Sequence, residues 1–277
     1  MYGDTQTDYD IAPPQSKNDE FLKVAREAAQ IGGEILLTHL SRVKYYNLEQ
    51  KGEFDYATLV DHTSEKAIVE HIRNAFPDHA ILAEEGGSIG GSQVQWIIDP
   101  LDGTTNYLHD VRVFAVSIAA VIAGEPVAGV IFDPVRNEIY TATKGGGAFM
   151  NGARLHVSVH DDMADCLLAT GFPFRKKELI TPYLQSFQNF FGKCRDIRRM
   201  GAAAIDLAYV AGGRFDGFWE LNLNKWDIAA GVLLIQEAGG FVSGFTQDED
   251  FWETGNIVAT NGRIHHEITS ELGGIFG

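Results

Sequence analysis

One eleven-residue segment, Trp96-Ile97-Ile98-Asp99-Pro100-Leu101-Asp102-Gly103-Thr104-Thr105-Asn106, constrains this chain more than any other. An apolar run suited to a buried strand ends abruptly in two carboxylates. Pro100 has no N–H and a fixed φ, so the ladder is expected to stop after Asp99 and to let Asp99 and Asp102 converge on one point. Gly103 leaves room for close backbone approach, and the amides of Gly103, Thr104 and Thr105 would form an anion nest if a helical turn began there. Asp-Pro and Asp-Gly are also ordinary turn pairs, so a plain turn is the competing reading.

Two other acidic positions bear on that choice. Glu84-Glu85 closes a strand-like run from His79 to Ala83, and Asp227 follows Trp226 at the start of a strongly apolar helix. Taken singly, the first is a solvated strand end and the second a helix cap worth about 1 kcal/mol. Together with Asp99 and Asp102 they supply four carboxylates, the number and kind that two or more hard cations need. The overall charge points the same way. Thirty-eight acidic against 22 basic side chains give a formal charge of −16, so a nest of carboxylates beside an anion cradle is hard to use without divalent cations. That charge also repels nucleic acid and anionic membranes, and no Lys/Arg run is expected to reverse it locally.

The 277 residues can form one large domain or two small ones. Residues 1–17 carry Asp4, Asp8, Asp10 and Pro13-Pro14, without the basic start and apolar block of an export signal, and read as a flexible tail. No stretch approaches the roughly 18 uninterrupted apolar residues of a membrane span. Cys166 and Cys194 are far apart in sequence and lack metal-type spacing, so a reducing cytoplasm is the expected setting.

Residues 18–150 read as an N-terminal α+β half. Asn18 is the expected cap of a helix burying Phe21, Ala25, Ala28, Ile31 and Ile35, and a second helix starts at Asp61 and ends before Pro77. Five strands follow at His79–Ala83, Val94–Asp99, Phe114–Ile122, Val127–Phe132 and Glu138–Thr143, mostly antiparallel. Residues 151–277 read as an α/β half. Its expected strands are Cys166–Thr170, Phe215–Glu220 and runs near Val242 and Ile257, and its helices start near Thr181, Ala202 and Asp227. No linker rich in Pro, Gly or Ser separates the halves, so they are expected to share a site between them.

With Asp99 to Asn106, Glu84-Glu85, Gly171-Phe172-Pro173, Arg198 through Asp206, Glu220 and Trp226-Asp227-Ile228-Ala229-Ala230-Gly231, the chain resembles the inositol monophosphatase family of lithium-sensitive, metal-dependent phosphatases. The resemblance runs from about residue 19 to the C-terminus and implies a layered α-β-α-β-α sandwich. It implies that Glu84, Asp99 and the main-chain carbonyl of Leu101 hold one Mg2+, and that Asp99, Asp102 and Asp227 hold a second. Asp99 would bridge the two, with Glu84 also near a weaker third ion. Mn2+ is expected as a substitute ion and Li+ as an inhibitor. By the same resemblance, the amides of Gly103 and Thr104 bind phosphate, while the Thr104 hydroxyl and Glu84 orient an attacking water with Asp61 behind them. Asp102, Glu220 and the loop Gly201-Ala202-Ala203 would meet the hydroxyls of a small phosphorylated polyol, inositol monophosphate first among them. A homodimer is also implied.

Ala202 stands where the family often has Ser or Thr, and Lys51 lies near, but out of register with, a lysine that the family places by the metals. Fructose 1,6-bisphosphate, histidinol phosphate and 3′-phosphoadenosine 5′-phosphate are the alternative substrates. A carboxylate at Glu220 favours a polyol over a second phosphate. Some bacterial relatives resemble regulators that bind transcription machinery, a reading from a different class. Gly86-Gly87-Ser88-Ile89-Gly90 matches a nucleophile-elbow pattern but leads through more glycine toward the strand at Val94, so a flexible loop is expected. Gly145-Gly146-Gly147 reads as a hairpin turn, and His265-His266 as surface.

Overall fold

The computed structural model describes residues 16–41, 48–52 and 55–277. Most of the expected N-terminal tail and the side chain of Lys51 lie outside the described residues. Helix α1 (Lys17–His39) is capped by Ser16, not Asn18. Ser16 is extended and its Oγ accepts the Asp19 amide at 3.2 Å, whereas Asn18 already lies within the first turn. Its buried stripe holds Phe21, Ala25 and Ala28 as expected, then passes through Gly32, Gly33 and Leu36, leaving Ile31 and Ile35 only partly buried.

The chain continues through a two-stranded sheet, β1 (Leu48–Gly52) and β2 (Asp55–Thr58), into α2 (Leu59–Ala75). Then come β3 (Ala80–Ala83), β4 (Gly87–Ile89), β5 (Val94–Asp102), the short α3 (Thr104–Leu108), β6 (Ala115–Ile122), β7 (Glu125–Asp133), β8 (Glu138–Thr143), β9 (Gly147–Met150) and β10 (Ala153–Arg154). These build an eight-stranded sheet in the order β10-β9-β8-β7-β6-β5-β3-β4, antiparallel except where β3 runs parallel to β5. Residues 87–89, expected as loop, form the edge strand β4, because Gly87 to Ile89 pair back onto β3.

The second sheet, order β12-β11-β13-β15-β14, is mixed. It is built from β11 (Leu167–Thr170), β12 (Asp196–Arg198), β13 (Gly217–Glu220), β14 (Phe241–Ser243) and β15 (Ile257–Thr260). Its helices are α4 (Ile180–Phe191), α5 (Ala203–Ala211), α6 (Lys225–Glu237), the single turn α7 (Phe251–Thr254) and α8 (His265–Phe276). α1 and α2 cover one face of the large sheet, α5 and α6 fill the space between the sheets, and α4 and α8 cover the far side. The result is the layered α-β-α-β-α sandwich. Both faces of β5 are therefore buried: Trp96 and Ile98 point into the α1–α2 core and Ile97 into the α5–α6 core. That is why its apolar residues run on without alternating.

His265 corrects the expectation of a surface His pair. It is half-buried between Ser243 Oγ at 2.8 Å and Thr260 Oγ1 at 3.0 Å, and the desolvation pushes its pKa down to about 4, while His266 is exposed.

The helix α3 is tied to α1 by one buried bond, from the Tyr107 hydroxyl to the Leu36 carbonyl at 2.7 Å in the last turn of α1. Carbonyls there lack a full set of intrahelical partners. Tyr107→Phe should cost about 1 kcal/mol in urea unfolding, with the fold retained. An unchanged midpoint would show that the bond contributes nothing.

Candidate active site

The acidic segment does not break its strand at Pro100. β5 stays paired to Asp102, but Asp99 faces Ser117 and Asp102 faces Ala115, so three steps on β5 match two on β6. A bulge, not a strand end, absorbs the missing proline N–H and brings both carboxylates to one side. The Leu101 amide donates to Asp99 Oδ1 at 2.9 Å. The Leu101 carbonyl accepts from Thr104 Oγ1 at 3.2 Å.

Gly103 then takes φ +96° and caps α3. A side chain there would be strained by that φ, and its Cβ would come within 3.0 Å of the Val113 carbonyl and 3.2 Å of Ala202 Cβ. The expected helical turn thus begins at Thr104, and its first-turn amides have no partner within the helix.

Asp227 is the third residue of α6, where its Oδ2 accepts the Asn224 amide at 2.6 Å in a capping box. Its capping role and its place in the pocket coexist. Asp102 Oδ2 accepts the Ala204 amide at 2.7 Å, fixing the start of α5 to the end of β5. Carboxylate oxygens of Asp99, Asp102 and Asp227, all buried, lie within 4.8 Å of one another. Glu84, half-buried just after β3, lines the same pocket, with its carboxyl in hydrogen-bonding reach of Asp99.

Such crowding has an electrostatic cost. Burial pushes Asp99 well above the usual carboxylate range, and the charges of Glu84, Asp102 and Asp227 push it further. Burial and then Asp227 raise Asp102 to about 7, against the lowering effect of the Ala204 amide. Hard oxygen donors packed this closely match what a hard divalent cation takes as ligands. Glu84, Asp99, Asp102, Asp227 and the Leu101 carbonyl are the groups that would hold such ions.

Asp61 is not a cap, because α2 begins at Leu59. It is fully buried and accepts from Thr104 Oγ1 at 3.2 Å. One turn later in α2, Glu65 Oε2 accepts the Glu85 amide at 2.7 Å and so holds the turn that carries Glu84.

The pocket encloses about 360 Å³, and its far wall is made by Glu220 at the end of β13 and by Gly201, Ala202 and Ala203 at the start of α5. Burial raises Glu220 to about 8, with Arg199 acting in the opposite direction. The sequence reading gave no role to Arg175, Arg199 or Asp206, which also line the pocket. Arg199 and Asp206 lie in the quoted stretch Arg198 to Asp206, but only packing shows where they point. The absence of a basic run also needs correcting: Arg175-Lys176-Lys177 is one, and Arg175 reaches the pocket rim.

The raised groups carry a sign for stability. A carboxyl with a higher pKa folded than unfolded adds stability in full below its unfolded value and loses it as pH rises through the folded value. Without metal, the chain should therefore lose thermal stability between about pH 5 and pH 8, the range that ends at the values for Asp102 and Glu220. Added Mg2+ should raise the melting temperature more at pH 8 than at pH 5, and Asp102→Asn should flatten the metal-free slope. A metal-free melting temperature that rises steadily from pH 5 to pH 8 would contradict this electrostatic picture.

Comparison with known proteins bears on what the pocket does. The model of the inositol monophosphatase family matches residues 17–274. A protein of Pseudomonas aeruginosa named Nus factor SuhB is 48% identical over 257 residues, 91% of this chain and 95% of that one. Its Escherichia coli namesake is 47% identical over 245 residues, 88% and 92% of the two chains. Among solved structures, an inositol monophosphatase from Anabaena superposes with a TM-score of 0.84 at 39% identity, covering 94% of this chain and 98% of that one. The extragenic suppressor protein suhB from Bartonella henselae gives 0.87 at 42%, covering 91% and 98%. With a family match over nearly its whole length, a shared layered fold and a cluster of buried carboxyls at the pocket, the chain belongs to the inositol monophosphatase family.

Proposed function

We propose that the chain is a Mg2+-dependent phosphatase that hydrolyses a small phosphorylated polyol, inositol monophosphate foremost, by direct attack of water. The observation that carries this reading is the convergence of Asp99, Asp102 and Asp227 within 4.8 Å at the mouth of α3. When bound, divalent ions neutralise these carboxyls, acidify water and stabilise the departing oxygen. The remaining steps belong to the chain. Free amides at the start of α3 receive the phosphate oxygens. The Thr104 hydroxyl points its hydrogen at Asp61 and the Leu101 carbonyl, both at 3.2 Å, so its oxygen is left to accept from the attacking water. Glu84, which lines the same pocket, takes the proton of that water. Glu220 and the Gly201–Ala203 loop meet the polyol, Ala202 contributing only backbone. Li+ inhibition, a homodimer and a cytoplasmic setting belong to the same proposal. No helix among the described residues is long and apolar enough to cross a membrane.

A second reading is favoured by the name of the relatives at 48% and 47% identity, Nus factor SuhB. On that reading the chain binds the transcription machinery as a regulator. Pull-down with a catalytically dead Asp99→Asn chain separates the two roles, since a regulator survives loss of turnover.

Phosphate release from inositol monophosphate, fructose 1,6-bisphosphate, histidinol phosphate and 3′-phosphoadenosine 5′-phosphate, with Mg2+ present or absent and with Li+ added, tests the proposal. Asp99→Asn and Asp227→Asn should each lose at least about 1000-fold in kcat while melting no lower than the parent without metal. Thr104→Ala should lose about 100-fold, and Asp61→Asn should add little in that background because both act on one hydrogen bond. Full activity in either Asp variant, or independence from Mg2+, would refute the assignment.

A further inference from the structure

The pocket has a cationic end that neither the metal site nor the polyol contacts use. Arg199 and Arg175 both line it, from β12's exit and from the loop after β11. Both act on Glu220, lowering its pKa against burial, so both charges reach the substrate end of the cavity and not only the outer surface. Each guanidinium rests on an aromatic ring of one loop: Arg199 lies 5.2 Å from the Phe172 centroid and Arg175 lies 4.7 Å from that of Phe174. Stacking of this kind fixes the plane of the guanidinium, and at Arg199 it leaves the edge N–H groups facing the pocket.

The surroundings of Arg199 are built to hold it there. Gly201 has φ +86°, and a Cβ at that position would stand 2.3 Å from Arg199 Nη1, so the glycine makes the room that the guanidinium fills. Its sequence neighbours are committed elsewhere, Arg195 to Asp165 and Arg198 to Asp196. Arg199 makes no ion pair among the described residues. In a chain of formal charge −16, a cation held in a pocket wall without a direct salt bridge is open to an anionic ligand.

We infer that Arg175 and Arg199 form a second anion subsite, so that the pocket favours phosphomonoesters bearing a further anionic group, phosphate or carboxylate, at the end remote from the scissile phosphate. This rests on the proposed hydrolase reading for the first phosphate and extends it to the substrate's far end. It also reverses the expectation that Glu220 repels a second phosphate, because two cations flank that carboxyl.

Matched pairs test the inference on the full chain with Mg2+. Fructose 1,6-bisphosphate is compared with fructose 1-phosphate, and 3-phosphoglycerate with glycerol 3-phosphate, the first pair adding a phosphate and the second a carboxylate. The member with the extra anion should show kcat/KM higher by about tenfold or more, chiefly through KM. In the Arg175→Gln/Arg199→Gln double variant that ratio should fall toward one. A preference in the first pair alone restricts the subsite to phosphate, and in the second alone to carboxylate. Ratios near one in the parent chain, or a ratio unchanged in the double variant, would overturn the inference. Should none of the compounds be hydrolysed, the hydrolase reading fails separately. Calorimetric Kd values for the same pairs then decide the subsite, equal values rejecting it and a tenfold gap lost in the double variant upholding it.

Discussion

Mutual repulsion among buried carboxyl groups governs this molecule. Glu84 arrives after β3, Asp99 and Asp102 from the bulge of β5, and Asp227 from the first turn of α6. In the low dielectric of the layer between the sheets their charges act on one another strongly, and Asp99 and Asp102 keep protons at pH values where exposed carboxyls have lost them. The packing that forces them together is apolar: α6 presents Ile228, Ala229, Ala230 and Val232 to the core, and α5 is buried along its whole length. Backbone amides of Leu101, Ala204 and Asn224 aim at three of the carboxyls and fix their geometry. The repulsion is thereby concentrated at a place where bound cations would relieve it.

The pocket joins two kinds of recognition. At one end lie carboxyls and the open amides of α3, and at the other lie Glu220 and two arginines stacked on aromatic rings. Each end is anchored to a different sheet, and α5 links them, its start held by Asp102 and its first turn carrying Asp206 into the pocket wall. Asp206 Oδ1 is buried without a hydrogen-bond partner. Burial and the charge of Glu220 keep its pKa high, so it answers to the same field as the carboxyls around it.

Much of this was legible in the sequence where a local signal exists. Pro100 and Gly103 mark the turn that gathers Asp99 and Asp102, and the long apolar runs gave the central strands and α6. The outcome at Pro100 differed because β6 follows it with a matching offset, which a single strand cannot announce. Short strands such as β4, β10 and β12 escaped because two or three residues cannot display an alternation. Helix α8 escaped because Gly273-Gly274 near its end and the lack of a side-chain cap weaken the helical pattern. Arg199 and Arg175 reach one pocket through the pairing of β11 with β12, a long-range contact with no mark in either segment.

The most direct test of the central claim is anomalous scattering from crystals of the chain soaked in Mn2+. The account predicts strong peaks within about 2.5 Å of carboxylate oxygens of Asp99 and Asp227, with Asp99 shared between them. Manganese bound only elsewhere on the surface, or an ordered site that keeps its occupancy in Asp99→Asn, would contradict it.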